Sequence, residues 1–181
     1  LGTSGQILSS TGTGLNWIDN TGGGSSGNLH QPYTSGSTSD NIIPTTGSFI
    51  NTGNFTTIGG GNQNTASIDL SFIGGGCLNS IAGLGTNSFI GGGISNQAAK
   101  GAVVVGGVCN IGGNSDAFIG AGRCNVVAGS VSNAFIGSGR GNCVRSNCSA
   151  IVGGCNNEIG ESSTCSFIGS GQDNIVCGNN S

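Results

Sequence analysis

The sequence predicts an all-β protein: a parallel β-solenoid of about eight short glycine-rich coils, preceded by an irregular amino-terminal segment. Three observations predict it. A motif of apolar residue, glycine and asparagine recurs along the chain, glycine supplies 39 of the 181 residues, and only 6% of the residues are charged. An ordinary globular chain has about 25% charged residues. Backbone pairing and stacked apolar rows, rather than charge networks, are therefore expected to hold this chain together.

Each repeat is registered on an aliphatic residue that precedes a glycine, here called the predicted anchor. The predicted anchors are Ile58, Ile73, Ile90, Val105, Ile119, Ile136, Val152 and Ile168, and the glycines that follow them are Gly59, Gly74, Gly91, Gly106, Gly120, Gly137, Gly153 and Gly169. Every repeat then contains an asparagine: Asn64, Asn79, Asn96, Asn110, Asn125, Asn142, Asn157 and Asn174. The asparagines are 14 to 17 residues apart. Self-similarity at so short a period is typical of a solenoid.

The motif fits strands better than helices, because glycine at this density destabilises helices but permits tight turns and close backbone approach. Each coil is expected to contribute two short strands. One lies at the Phe-Ile pair, and the other lies around a second apolar or small residue such as Ala66 or Ile81. Coils about 4.8 Å apart would stack to roughly 40 Å. The repeated asparagine would form a ladder in which each amide bonds its equivalents above and below.

A second row of residues precedes the predicted anchors: Thr57, Phe72, Phe89, Val104, Phe118, Phe135, Ile151 and Phe167. Neighbouring residues of a strand point to opposite faces, so this row is expected to point outward if the anchors fill the core. An apolar stripe of this kind is rare on soluble monomers. Its burial against copies of the same chain is the favoured interpretation. The alternative is a bulge or bend that turns both rows inward.

The repeats resemble those of a known group of proteins. FIGGGxxN at 72–79 and 89–96, with FIGxGxxN at 118–125, 135–142 and 167–174, is similar to the β-roll heads of trimeric adhesins and of trimeric phage or giant-virus fibres. The opening LGTSGQILSSTGTGLNWID resembles a segment of phage-type tail-fibre and collagen-like virion proteins. Unlike the best-known bacterial adhesin heads, the repeats carry no NSxAxG motif, so a viral and a bacterial source both stay open.

The resemblance implies a parallel homotrimer on a virion, cell or extracellular surface, with a host glycan or protein receptor as partner. The trimer could consist of three side-by-side solenoids or of one interwoven triple β-helix. In either case the outward row supplies the expected trimer contacts: Phe72, Phe89, Val104, Phe118, Phe135, Ile151 and Phe167. The function implied is that of a non-enzymatic fibre or adhesin module. The alternatives are a structural spacer within a longer fibre and an ice-binding solenoid, although Thr56-Thr57 occurs in one coil only.

The amino-terminal third does not follow the repeat, and the predicted domains are therefore residues 1–48 and 49–181. Apolar residues within 7–18 predict a hairpin or a plug that contacts the trimer, and residues 20–41 are polar and turn-rich like a linker. A chain that begins at Leu1 and contains no methionine is expected to be a fragment or a processed product. No apolar run approaches the roughly 18 residues that span a membrane. Four Lys and Arg residues are too few for a nucleic-acid patch.

Catalytic chemistry is not expected. His30 is the single histidine, and of the seven acids only Glu158 and Glu161 are near neighbours in sequence. The run Gly74–Gly76 precedes neither a helix nor a lysine, as a phosphate-binding loop requires. We therefore expect no enzyme activity, no cofactor and no metal site.

Eight cysteines are present, and their spacing contains no CxxC pair or zinc motif. Many of them occupy slots that hold Leu, Ile or Val in other repeats, so they are expected to be small buried hydrophobic residues. Cys109 and Cys124 both directly precede the repeat asparagine in consecutive coils. Stacked coils would bring their Cα atoms within disulfide range. Two interpretations stay open: a bridge between these two coils, or free thiols throughout the chain.

Arg123 and Arg140 share one slot of consecutive repeats, two residues before the asparagine. Like charges so close repel each other unless an anion or an acid relieves them. Two interpretations stay open: a pair of solvated arginines, or an outward face that binds anionic glycans.

Overall fold

The computed structural model describes residues 6–10, 15–19, 50–113 and 115–178. The chain divides into two compact units, Leu1–His30 and Gln31–Ser181. In the first unit, β1 (Gln6–Ser10) pairs antiparallel with β2 (Leu15–Asp19), as the hairpin interpretation predicts. The polar linker at 20–41 and His30 lie outside the described residues.

The second unit is a parallel β-solenoid of two sheets, and its described residues contain no helix. The first sheet has eight strands: β4 (Thr57–Ile58), β6 (Phe72–Ile73), β8 (Phe89–Ile90), β10 (Val103–Val104), β12 (Phe118–Ile119), β14 (Phe135–Ile136), β16 (Ala150–Ile151) and β18 (Phe167–Ile168). The second has nine: β3 (Ile50–Asn51), β5 (Thr65–Ala66), β7 (Ser80–Ile81), β9 (Gln97–Ala98), β11 (Ile111–Gly112), β13 (Val126–Val127), β15 (Cys143–Val144), β17 (Glu158–Ile159) and β19 (Ile175–Val176).

Each strand pairs with the equivalent strand of the coils before and after it, so the sheets are built entirely from neighbours one coil apart. The prediction of a parallel solenoid with two short strands per coil is confirmed. Residues of one chain form all of these coils.

The hydrophobic core consists of the second residue of most strands. In the first sheet these are Ile58, Ile73, Ile90, Val104, Ile119, Ile136, Ile151 and Ile168, and in the second they include Ala66, Ile81, Ala98, Val127, Val144 and Ile159. The first residue of each strand points the other way and is partly or largely exposed. A two-residue strand therefore buries one side chain and offers one to the surface.

The register predicted for two coils is wrong by one residue. Val105 and Val152 are 48% and 47% exposed, whereas Val104 and Ile151 are fully buried. Val103 pairs with Phe89 and Ala150 pairs with Phe135, which places Val103 and Ala150 in the outward row. Val104 and Ile151 therefore cannot be trimer contacts. The predicted register took the residue before the first glycine as the core residue. In these two coils the slot that is glycine elsewhere holds Val105 or Val152, so the first glycine comes one residue later.

The arc from the first-sheet core residue to the asparagine is constant, because the asparagine follows the core residue by six positions in all eight coils. The third residue of this arc is always glycine, with φ between 91° and 114°: Gly61, Gly76, Gly93, Gly107, Gly122, Gly139, Gly154 and Gly171. Few L-residues adopt such angles. In the first seven, a Cβ would also overlap a carbonyl oxygen of the next coil. Glycine is thus required here by conformation and by packing.

The return turn, from the second-sheet core residue to the next first-sheet core residue, contains all the length variation. Ile81 and Ile90 are nine positions apart, whereas Ala98 and Val104 are six apart. Leu84, within the longer of these turns, is 89% exposed. Extra residues therefore loop outward and leave the stack undisturbed.

Candidate functional site

The eight asparagines lie one above another, and all except Asn174 are fully buried. In Asn125, Nδ2 donates to Oδ1 of Asn110 at 3.1 Å and to the carbonyl oxygens of Ala121 and Gly139 at 3.1 and 3.0 Å. Its Oδ1 accepts the backbone N–H of Asn142 at 3.1 Å. The ladder therefore satisfies polar groups inside the stack, and its amides are occupied by the protein itself.

The outward row of the first sheet runs Thr57, Phe72, Phe89, Val103, Phe118, Phe135, Ala150, Phe167. Its rings stack in two pairs. The centroids of Phe72 and Phe89 are 5.4 Å apart, and those of Phe118 and Phe135 are 5.3 Å apart. Phe72, Phe135 and Phe167 are 40%, 39% and 63% exposed. The sheet thus presents a continuous apolar column to its surroundings.

A second outward row lies two residues after the first row in each coil, and the sequence analysis did not identify it. It consists of Gly59, Gly74, Gly91, Val105, Gly120, Gly137, Val152 and Gly169. Phenylalanine rings lie across the glycines, since a Cβ at Gly74 would be 3.4 Å from Cε1 of Phe72. Together the two rows form what we call the phenylalanine face. Neither row contains a charged residue. The constant spacing from core residue to asparagine is the sequence signal that would have identified it.

Arg123 and Arg140 pair through their backbones in consecutive coils, and both side chains are exposed. The acids nearest in register have other partners. Glu158 forms an ion pair with Arg145, with 2.9 Å between Oε1 and Nε, and Asp173 accepts a hydrogen bond from Asn156 at 3.2 Å. Over residues 50–113 and 115–178 no ion pair involves Arg123 or Arg140. The structure therefore leaves this pair of positive charges open to solvent or to an anion.

The cysteines do not belong to the core, contrary to the expectation. All eight are free thiols, of which three are half-buried and five are exposed. None of them belongs to the hydrophobic core cluster. Burial raises the pKa of the Cys143 thiol, Arg145 opposes that increase, and Glu158 adds to it.

Cys109 and Cys124 stack as predicted, because the N–H of Cys124 donates to the carbonyl oxygen of Val108 at 2.9 Å. The predicted disulfide is nevertheless absent from the structure. Both residues have left-handed φ values, 57° and 55°, so their side chains leave the turn in the same direction and stay about one coil spacing apart. A disulfide needs Cβ atoms about 3.8 Å apart. Cys148 and Cys165 form a second stacked pair that the sequence analysis did not identify.

No protein-family model matches the chain, and no curated protein matches it. Within the described ranges, no group of three His, Cys, Asp or Glu side chains could hold a metal ion. No helix in that part of the chain is long and apolar enough to cross a membrane. The phenylalanine face and the arginine pair are the two candidate functional features of the described residues.

Proposed function

We propose that this chain is a non-enzymatic module of a fibre or adhesin, which assembles as a parallel homotrimer and attaches a virion or cell to a host surface. The observation that carries the proposal is the phenylalanine face. It is an uncharged row of aromatic and aliphatic side chains along eight coils, and Phe72, Phe135 and Phe167 in it are exposed. Burial of such a stripe between copies removes apolar area from water at about 25 cal/mol per Å².

The mechanism we propose is mechanical and multivalent. Short strands, tight corners and the asparagine ladder make each solenoid a stiff support, because nearly every polar group of the arc is already hydrogen-bonded. Three parallel copies would present three equivalent outer surfaces at fixed spacing. Weak contacts made simultaneously then act at a high effective concentration, which raises the overall affinity without any single strong site.

The assembly is tested by measuring the solution mass with multi-angle light scattering under reducing conditions. A mass three times the 17.5 kDa of the chain supports the proposal. A monomer at all accessible concentrations would contradict it, since the phenylalanine face would then be stable in water.

The arginine pair separates the adhesin from a structural spacer, the second candidate. The uniform coils favour a spacer, whereas two adjacent unpaired cations favour contact with an anionic glycan. Binding of the wild type to immobilised heparin or sialylated glycans should be lost in Arg123→Ala/Arg140→Ala. Arg145→Ala is the matched control, because Arg145 is already paired with Glu158. Equal retention of all three proteins on these glycans would favour the spacer.

A further inference from the structure

The two outward slots of each coil change together. In the five coils with phenylalanine in the first slot, the second slot is glycine; in the coils with Val103 and Ala150, the second slot is Val105 and Val152. Five coils therefore place one aromatic ring beside a glycine. The other two place two aliphatic side chains beside each other, Val103 with Val105 and Ala150 with Val152. The first coil, with Thr57 and Gly59, is the end of the row.

The packing within one chain explains only half of this pattern. The ring crowds the second slot, since a Cβ at Gly137 would lie 3.3 Å from Cε1 of Phe135. The next coil also requires glycine there, because that Cβ would lie 2.5 Å from the carbonyl oxygen of Val152. Nothing within the chain requires valine where the ring is missing. Val105 and Val152 are about half exposed and lie outside the core. Apolar side chains in those places gain burial only if another surface covers them.

We infer that the phenylalanine face is an in-register interface with two further copies of this chain, in which the two slots of each coil jointly fill one level. The inference rests on the trimer of the proposed function and assigns its contact surface. A phenylalanine beside a glycine and a valine beside a valine fill similar space above the sheet, so the surface of the face stays nearly even. An even face packs without voids against its counterparts.

A second copy fits this face better than an unrelated partner for two reasons. The face carries no charge to match, and its side chains repeat at the coil spacing of about 4.8 Å, which another solenoid of the same chain reproduces. Parallel copies around a symmetry axis place identical residues at the same height, so each level contacts the equivalent level of the other copies.

The test changes the residues in the two slots of one coil and measures the trimer dissociation constant by sedimentation equilibrium. Val105→Thr keeps the shape of the side chain but replaces one methyl group by a hydroxyl, and V103F places a ring beside Val105. Each is expected to weaken assembly about tenfold, whereas V103F/V105G recreates the phenylalanine and glycine pairing and should return to within about threefold of the wild type. Ile111→Ala, an exposed position on the second sheet, is the control that should leave assembly unchanged.

The outcomes distinguish the inference from the proposed function. A wild type that stays monomeric overturns both. A wild-type trimer whose dissociation constant does not respond to Val105→Thr or V103F overturns the contact surface alone. Unfolding of each monomer in urea identifies a variant that weakens assembly only by unfolding, and Val105→Thr at a half-exposed position is expected to leave the urea midpoint nearly unchanged. A V103F/V105G variant as weak as V103F would also overturn the inference.

Discussion

Gly93 and Asn96 show how one corner of the solenoid depends on particular residues. Gly93 has φ 96° and lies against the backbone of the next coil, and Asn96 Nδ2 donates to the carbonyl oxygens of Gly92 and Gly107. The asparagine supplies hydrogen bonds that the tightly curved backbone cannot make to itself. The same pair of residues recurs in every coil, so a substitution has the same physical consequence wherever it is made inside the stack.

Replacement of Asn125 by alanine should lower the free energy of unfolding by about 3 kcal/mol. The substitution removes the side-chain partner of the buried N–H of Asn142 and of the carbonyl oxygen of Ala121. The carbonyl oxygen of Gly139 loses one of its two bonds and keeps the one from the N–H of Arg123. Urea denaturation followed by circular dichroism measures the effect. Asn174→Ala, at the exposed last coil, is the control and should cost less than half as much. Equal losses at the two positions would mean that ladder bonds are not the cause.

Gly93→Ala and Gly92→Ala form a matched pair one residue apart. An alanine at 93 requires an unfavourable φ and overlaps the backbone of Gly107, whereas a Cβ at 92 would have its nearest neighbour at 3.9 Å. We expect a loss of at least about 3 kcal/mol, or failure to fold, for Gly93→Ala and a change of less than about 1 kcal/mol for Gly92→Ala. Thermal melts of both variants measure the difference. Similar melting temperatures would contradict the close approach of the coils.

The Cys143 thiol should react more slowly with iodoacetamide than the exposed Cys148 thiol at pH 8. Burial raises the pKa of Cys143, so a smaller fraction is thiolate, the form that reacts. The rate should therefore continue to rise at higher pH than for an ordinary cysteine. Peptide mass spectrometry after timed alkylation measures both rates. Glu158→Gln should accelerate the reaction of Cys143, because it removes a neighbouring negative charge and its partner Arg145 remains.

At the scale of the element, each coil consists of a constant arc and a variable return turn. The arc is constrained at every residue by the ladder, the left-handed glycine and the hydrogen bonds to the adjacent coils. The return turn brings the chain back to the first sheet and adds core residues such as Ile68, Ala117 and Val131, but its length varies from coil to coil. Its ends are held by paired strands, so added residues cost little more than the entropy of a longer loop.

An insertion of two glycines should therefore be tolerated in one part of a coil and not in the other. Insertion after Leu84, at the tip of an exposed return turn, should change the unfolding free energy by less than about 1 kcal/mol. The same insertion after Gly92 displaces Asn96 from the ladder and should cost at least about 3 kcal/mol. Urea denaturation of the two proteins compares them. Comparable losses would show that the return turns are as constrained as the arcs.

At the scale of the whole molecule, charge contributes little to stability. The ion pair of Arg145 with Glu158 is the only one over residues 50–113 and 115–178, and its two side chains are 46% and 40% exposed. Exposed pairs contribute at most about 1 kcal/mol. Stability within this unit comes from the isoleucine and valine rows, the parallel hydrogen bonds and the asparagine ladder. Burial of the phenylalanine face by further copies would add to these.

The melting temperature should rise with protein concentration and respond weakly to salt. Assembly of folded chains favours the folded state by mass action, whereas few charges are present for salt to screen. Differential scanning calorimetry over a hundredfold range of concentration, with and without 0.5 M NaCl, measures both dependences. A melting temperature independent of concentration would contradict the trimer.

Much of the architecture was predictable because short-range chemistry dictates it. The glycines and asparagines recur since few other residues adopt the corner angles or supply the donors and acceptors of the ladder. The two strands of each coil and their parallel arrangement followed from the period at which these glycines and asparagines recur. The solvent-facing cysteines were not predictable, since a slot that holds leucine or valine in another coil can lie on either side of a strand. The phenylalanine face was predicted only in part, because its residues can be assigned only when the outward-facing residue of every strand is known.

The sequence by itself determined the repeat, the two strands of each coil and the ladder positions. The tertiary structure decided which of two adjacent aliphatic residues enters the core. Val104 and Val105 are chemically identical, and Ile151 and Val152 are nearly so. The pairing of Val103 with Phe89 and of Ala150 with Phe135 fixes the side to which each points, and it shows that the core residue is the one six positions before the asparagine. A shift of one residue in a strand exchanges its inner and outer faces, so the composition of the strand itself carries no information about that choice.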